Sequence, residues 1–350
     1  MRIVVIGATG NIGTSTIRAL SKDPQVTSIR GLARRLPEWK GDKTDWAVAD
    51  VRKTDLVPLL RGADVVVHLA WLFQPTHNRV ATWRNNVLGT ERVLRAVVEA
   101  KVPALVCSSS VGAYSPGPKN RAVDETWPTH GWPTAAYGRE KAYVERLLDV
   151  FERDHPECRV VRMRPGFCFM YESAPEQRRL FAGPLLPGRL ARPGLIPFVP
   201  DLPGLRFQVL HSADAGEAFR LAATKKDVRG PFNIAAEPVI DPAQLADLLN
   251  ARLVRIPLRA ARAAMTAAWS MHLIPASPQL LDLALQVPIM DTGRARDELG
   301  WTPARTAREA LQEFMSGLRE GEGMETPPLA PATGGPTRIK EFVTGAGRKP

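Results

Sequence analysis

Cysteine is scarce in this sequence. The three present, Cys107, Cys158 and Cys168, form no CxxC pair and no disulfide framework. Scattered thiols of this kind fit a reducing compartment. Long hydrophobic runs are missing too. The best, Val65 to Phe73, is short and contains His68, whereas a membrane span needs roughly 20 apolar residues. A strand pattern begins at Arg2, so no signal peptide is expected and the chain reads as cytoplasmic. Lysine is little used, at 11 residues against 36 arginines, within a net charge of +11. Such a charge argues for nucleic acid only alongside a basic stripe or a reading module. Neither is found, and the arginines are spread along the chain with acids nearby, so no nucleic-acid partner is expected. An anionic small molecule or cofactor explains the surplus as well.

What is present is ordinary globular material: 350 residues, 44% apolar and 24% charged, enough for one large α/β unit or two domains sharing a cleft. In the first half, short β-branched runs alternate with amphipathic stretches. Strands are expected at 2–6, 26–32, 46–49, 64–70, 104–108 and 159–164, with helices to about 20 and at 55–61, 83–100 and 136–154. That alternation predicts a Rossmann-type doubly wound parallel sheet in the α/β class. From Pro165 to Gly204 prolines and glycines crowd together, which predicts an ordered but irregular covering segment. Pattern returns with a strand at 207–211, a helix from Asp214, a strand at 232–235 and helices at 242–250, 258–269, 279–285 and 306–319. The expected organisation is a dinucleotide-binding domain at 1–165, joined again by 205–240. A smaller, mostly helical substrate-binding portion would comprise 166–204 and 241–318. Residues 319–350, rich in proline and glycine, are expected to form a disordered tail.

Three groups of residues carry chemistry. Gly7-Ala8-Thr9-Gly10-Asn11-Ile12-Gly13 follows the first strand and opens the first helix. Glycines there allow a sharp turn and a close backbone approach to a pyrophosphate, which the helix N-terminus then receives. Tyr137 and Lys141 stand four apart on a helix and share one face. An ammonium near a phenol pulls its pKa toward neutrality and makes it a usable acid or base. Ser108-Ser109-Ser110 ends the strand before that helix, where a hydroxyl faces the ligand crevice and can steady a developing charge.

These residues resemble the extended short-chain dehydrogenase/reductases, the NAD-dependent epimerase/dehydratase family, over about Met1 to Leu318. Further landmarks are Ala49-Asp50-Val51, His68-Leu69-Ala70, Asn86 to Thr90, Arg164-Pro165-Gly166, His211 with Asp214, Gly230 to Asn233, and Glu298 to Pro303. The resemblance implies Tyr137 as acid/base and Lys141 as ribose anchor and pKa tuner. Ser110 would contact the substrate oxygen, with Ser109 its rival. Asn86 would help hold the active-site helix. Thr9, Gly10, Asn11 and Ile12 would lie in the phosphate turn. Asp50 and Val51 would flank the adenine, Leu69 and Ala70 would line the cofactor, and Pro165 and Gly166 would sit beside the nicotinamide. His211 and Asp214 would be structural. A homodimer is what the family suggests.

The cofactor reading rests on the end of the second strand. An NAD-binding fold places an acid about 20 residues after the glycine turn, for the ribose hydroxyls. Here that stretch is Ile29 to Arg35, with no acid before Glu38. Arg34 and Arg35 would instead pair with a 2′-phosphate. NADP is therefore expected, with NAD as second choice.

The substrate portion lacks the polar segments of the sugar-nucleotide branch. It carries Phe167, Phe169, Met170, Leu180, Phe181, Leu185 and Leu186, and Trp71 to Phe73 add bulk nearby. An apolar pocket looks like that, as does a packed lid. Arg178, Arg179, Arg189 and Arg192 are read chiefly as a solvated rim, against an anionic substrate contact or a membrane surface. Trp127 and Trp132 flank a loop before Tyr137 and are read either as overhanging the active site or, equally, as surface anchors for a long loop. The expectation is an NAD(P)-dependent oxidoreductase moving hydride to or from a carbonyl or alcohol. An epimerase or dehydratase of the same family, or a non-catalytic dinucleotide-binding regulator, stands as the alternative.

Overall fold

A computed structural model describes residues 1–74, 76–182 and 196–331. The first half runs β1 (Arg2–Ile6), α1 (Asn11–Ser21), β2 (Ser28–Ala33), β3 (Thr44–Val48), α2 (Val57–Leu60), β4 (Val65–His68), α3 (Arg79–Trp83), α4 (Gly89–Glu99), β5 (Ala104–Ser108), β6 (Ala122–Val123), α5 (Ala136–Asp154) and β7 (Arg159–Pro165). The described part of the second half holds β8 (Phe167–Phe169), α6 (Ala174–Gln177), β9 (Phe198–Asp201), β10 (Phe207–His211), α7 (Ser212–Thr224), β11 (Gly230–Ile234) and β12 (Ala236–Ile240). It continues with α8 (Pro242–Leu249), β13 (Arg252–Arg255), α9 (Leu258–Ser270), α10 (Pro278–Gln286), β14 (Ile289–Met290), α11 (Gly293–Asp297) and α12 (Ala307–Glu320).

Seven strands form one sheet in the order β3-β2-β1-β4-β5-β7-β11, and every pairing is parallel. This is the Rossmann-type arrangement expected from the strand–helix alternation, with β11 returning to the sheet after the second-half excursion. Its central strands are near-continuous apolar runs because both faces are covered. One core lies under α1, α7 and α12 and contains Ile3, Val5, Ile17, Phe219 and Trp301. The other lies under α4 and α5 and contains Val4, Val66, Val97, Leu105 and Leu148. Each such side chain contributes about 1.5–3 kcal/mol by leaving water.

The helix expected over 83–100 is broken. α3 ends at Trp83, and Arg84–Leu88 form a π-turn before α4. Within that turn the Asn86 side chain binds the backbone of Leu72. The segment from Phe167 to Ala182 is more regular than expected. It contains β8, a 3₁₀ turn, α6 and a second π-turn, while 183–195 lie outside the described residues.

The tail expected from 319 does not begin there. α12 runs to Glu320, and the chain then packs back on the body. Met324 and Leu329 are buried against Met170 and Trp39. The carbonyl of Glu325 accepts hydrogen bonds from the backbone of Glu38 and Trp39, at 3.1 Å each. Two apolar anchors among prolines and glycines suffice to dock a short segment, which a compositional reading cannot weigh. Residues 332–350, with Phe342 and Val343, lie outside the described residues. No helix among the described residues is long and apolar enough to cross a membrane.

Candidate active site

The site gathers at the carboxyl ends of β1, β4 and β5. Gly7 takes φ +86°, open to glycine at little cost, and a Cβ there would lie 2.6 Å from the Ala70 nitrogen. A Cβ on Gly13 would meet the Gly7 carbonyl at 2.3 Å. The turn therefore holds its shape by backbone contact with β4 and α1, leaving a cradle at the α1 N-terminus. Its N-cap is Gly10, and no side chain among the described residues caps that helix. Asn11 donates to the Cys168 carbonyl at 3.0 Å, and its buried Oδ1 has no partner among the described residues. The backbone N–H groups at this helix N-terminus fit a dinucleotide phosphate. Thr9 is buried within the turn.

Arg34 and Arg35 follow β2 directly and are exposed. Asp50, Arg52 and Arg35 all lie close enough to act on the Arg34 charge. Asp50 is held by Arg52, which sequence reasoning missed. The guanidinium pairs with both carboxylate oxygens, at 2.7 and 3.0 Å, and so holds Asp50 below the usual carboxylate range against the effect of burial. Val51 is buried beside Gly89. Leu69 bonds through its backbone to Ile6 at 2.8 Å, and Gly166 bonds similarly to Ile234 after Pro165 closes β7.

The three serines part company. Ser108 offers its carbonyl to the Lys141 ammonium at 2.8 Å. Ser109 turns into the core and donates to Glu145 at 2.6 Å. Ser110 faces the crevice, accepts from the Gly112 amide at 3.0 Å and stands beside the Tyr137 ring at Gly112, close enough to favour the ionised phenol. Only Ser110 therefore stands with Tyr137. Strand alternation at the end of β5 decides the matter, since neighbouring side chains leave on opposite sides.

Tyr137 is enclosed by aromatic rings. Trp71 meets it edge-on at 5.7 Å, Phe73 lies 4.8 Å away, and Phe181 packs behind Phe73 at 4.9 Å. Burial pushes the Tyr137 phenol up to about 12, with Ser110 opposing. The lowering expected from Lys141 is not seen. The ammonium lies 6.0 Å from the tyrosine ring centroid and 3.6 Å above the Trp71 indole. Burial also brings Lys141 down to about 8, while nearby acids, Glu145 and Glu140 among them, support its charge. His68, wholly buried beneath it, is pushed down to about 3 by burial and then by Lys141, and is neutral at physiological pH.

Asn86 sits at the centre of a clamp. It accepts from the Leu72 amide at 2.7 Å, donates to the Leu72 carbonyl at 2.8 Å, and donates to Glu140 at 2.7 Å. Glu140, another residue missed from sequence, also accepts from Thr82 at 2.6 Å. Burial raises its carboxyl pKa, and these two hydrogen bonds work the other way. The clamp fixes the Trp71–Phe73 segment relative to α5.

Beside Tyr137 a narrow cavity of about 20 Å³ is walled by Trp71, Phe73, Thr82, Glu140, Gln279 and Leu280. The Trp71 Nε1 and Gln279 Oε1 atoms at its walls are buried and have no hydrogen-bond partner among the described residues. Trp127 and Trp132 pack in the same apolar cluster as Tyr137. A larger hollow of about 500 Å³ lies on the far flank of α1. Its charges are largely satisfied internally, with Arg18 on Glu172, Arg220 on Glu217 and His211 on Glu313.

Arg178 and Arg179 are buried, not a solvated rim. Arg179 donates to the Ala330 carbonyl at 3.1 Å and to Pro328, tying the second π-turn to the docked tail. Arg189, Arg192, Leu185 and Leu186 lie outside the described residues. His211 caps α7 through the Ala213 amide and reaches Glu313 on α12 at 2.8 Å, while Asp214 accepts from the Arg305 amide at 3.1 Å.

A parallel Rossmann sheet, a glycine cradle at its first helix and a Ser-Tyr-Lys group at its crevice define the class. The chain belongs to the NAD dependent epimerase/dehydratase family, whose pattern it matches over residues 3–235. An uncharacterised protein of Mycobacterium bovis is 28% identical over 329 residues, which cover 93% of this chain and 31% of that protein. The chain thus spans about a third of that relative's length. A 4-hydroxy-2-methyl-3-oxo-4-farnesyl-3,4-dihydroquinoline-1-oxide ketoreductase of Stigmatella aurantiaca is 31% identical over 172 residues, 48% of this chain and 50% of its own. Among solved structures, the Thermus thermophilus UDP-glucose 4-epimerase complex with NAD superposes with a TM-score of 0.67 at 19% identity. It covers 91% of this chain and 99% of that one, a likeness of fold.

Proposed function

We propose that this protein is an NAD(P)-dependent oxidoreductase that reduces a carbonyl group, or oxidises the corresponding alcohol, on a substrate with an apolar body. The observation that carries the reading is Ser110 set beside Tyr137 inside an aromatic enclosure, with Lys141 one helical turn away. The nicotinamide, when bound, supplies or accepts the hydride. Ser110 and Tyr137 would both address the substrate oxygen. With its pKa raised to about 12, Tyr137 holds its proton at neutral pH and is suited to give it to the oxygen as an alkoxide develops. Lys141, an ammonium below about pH 8, then balances the phenolate left behind. Glu140 and Asn86 keep Trp71 and Phe73 against the reacting group and limit the entry of water.

Two further choices follow. Arg34 and Arg35 at the end of β2, where no acid stands, favour NADP over NAD. The walls of Trp71, Phe73, Phe181 and Leu280 favour an apolar body over a sugar nucleotide. The named substrate of the Stigmatella relative, a farnesylated ketone, is of that kind. The test is a spectrophotometric screen of NADPH and NADH oxidation against aryl and prenyl ketones, with nucleotide sugars as the competing panel. Turnover of apolar ketones with NADPH is expected. Turnover confined to nucleotide sugars would overturn the reading.

A further inference from the structure

Between Asp247 and Asp282 the chain carries Arg252, Arg255, Arg259 and Arg262 and no carboxylate. This stretch forms β13, α9 and the turn into α10, and α9 buries none of its residues. Arg262 pairs with Asp282 at 3.0 Å. Arg252 and Arg259 have no acidic partner among the described residues. Large apolar side chains stand exposed beside them: Phe198, Leu253, Val254, Leu258 and Met271, each between 36% and 62% exposed. The parallel β9–β13 ribbon sets Phe198 opposite Arg252 and Pro200 opposite Val254. One face of the ribbon therefore presents Phe198, Arg252 and Val254 together. On α9, Ala260, Ala263, Ala264 and Ala267 are exposed at helical spacing, with Arg259 alongside.

We propose that the β9–β13 ribbon and the outer face of α9 dock on an anionic lipid surface. Asp201 stands across the ribbon from Arg255, whereas Arg252 and Arg259 have no acidic partner among the described residues, which suits acidic headgroups. The exposed apolar side chains are chiefly aliphatic, which gain by entering the headgroup–acyl boundary and gain nothing from a nucleic-acid backbone. Arginine stems can lie along that boundary while their guanidinium groups meet phosphates. α9 leads directly to α10, whose Gln279 and Leu280 wall the cavity beside Tyr137. If the apolar-substrate reading is right, docking brings that wall toward the medium in which such a substrate dissolves. The docking itself does not depend on that reading.

The experiment is co-sedimentation of the full chain with vesicles of phosphatidylcholine alone, or containing about 30% phosphatidylglycerol. Two arginines without an acidic partner, Arg252 and Arg259, at roughly fivefold each, give an expected preference of about 25-fold for the anionic vesicles. Arg252→Glu and Arg259→Glu together should abolish binding. The same charge change at the exposed Lys22 and Lys226 should leave it intact. A second variant, Phe198→Ser with Val254→Ser, should weaken the binding that survives at about 1 M salt, where charge is screened. Circular dichroism melting checks that each variant is folded. Failure of the wild type to bind anionic vesicles would overturn the proposal. So would equal loss in the two charge variants, unchanged binding by both patch variants, or binding to transfer RNA in place of vesicles.

Discussion

Ser109 and Glu145 are joined at 2.6 Å in the core, while the neighbouring Ser110 faces the crevice beside Tyr137. Glu145 also receives Arg162 at 3.0 Å and Arg164 at 2.9 Å. Burial works against its ionisation, but Arg164, Ser109 and Arg162 outweigh it and hold its pKa at about 2. An uncharged residue here would leave two buried guanidinium groups short of a partner. Glu145→Gln should therefore cost about 3–5 kcal/mol of stability, read by urea denaturation at pH 7. The folded pKa lies below the unfolded one, so the stabilisation is present above about pH 4.3 and fades as pH falls toward 2. The wild-type and variant stability curves should converge through that window.

Arg34 and Arg35 should set cofactor choice. Replacing both by alanine should remove roughly 1.5–3 kcal/mol from NADP binding, about 10- to 150-fold in Kd, with little change for NAD. Fluorescence titration of both cofactors checks this. Equal wild-type affinity for the two would contradict it.

Lys141 should place an alkaline limb on the rate. Its ammonium is lost as pH rises through about 8, so kcat for carbonyl reduction should fall above that pH. Glu140 is one of the acids that raise the Lys141 pKa. Glu140→Gln keeps a carbonyl acceptor and an amide in place while removing the charge, and should move the limb to lower pH. A purely structural role for Glu140 would change the rate at every pH and leave the limb where it is.

Leu329 is fully buried although it lies in a segment of loop composition. Leu329→Ala should cost about 2–5 kcal/mol of stability. A chain ending at Gly323 should likewise melt lower, because it loses Met324 and Leu329 together. An unchanged melting temperature for both would show the docking to be incidental.

Elements with strong local signals were legible in the sequence. Ala104–Ser108 and Ala136–Asp154 are found where periodicity puts them, because a buried strand and a long amphipathic helix each mark their own boundaries. The π-turn at Arg84–Leu88 was not, since adding one residue to a helical turn hardly alters the apolar pattern. The β9–β13 pairing was also hidden. Its four-residue strands are some fifty positions apart, and all four residues of β13 are exposed. Tyr137 and Lys141 could be read as a pair because helical spacing is local. Glu140 and Glu145 could not, because their partners are set by how the segments around β4, β5 and α5 pack. The choice between Ser109 and Ser110 belonged to the end of β5, where the register of one residue decides it.

The central claim is that Tyr137 gives or takes the proton while Ser110 and Lys141 support it. Tyr137→Phe removes only the hydroxyl and leaves the ring against Trp71 and Phe73. With an apolar ketone established by the NADPH screen, kcat of the variant should fall by about 10²- to 10⁴-fold, and its Kd for NADPH should stay within a few-fold of wild type. A variant that turned over near the wild-type rate would contradict the account.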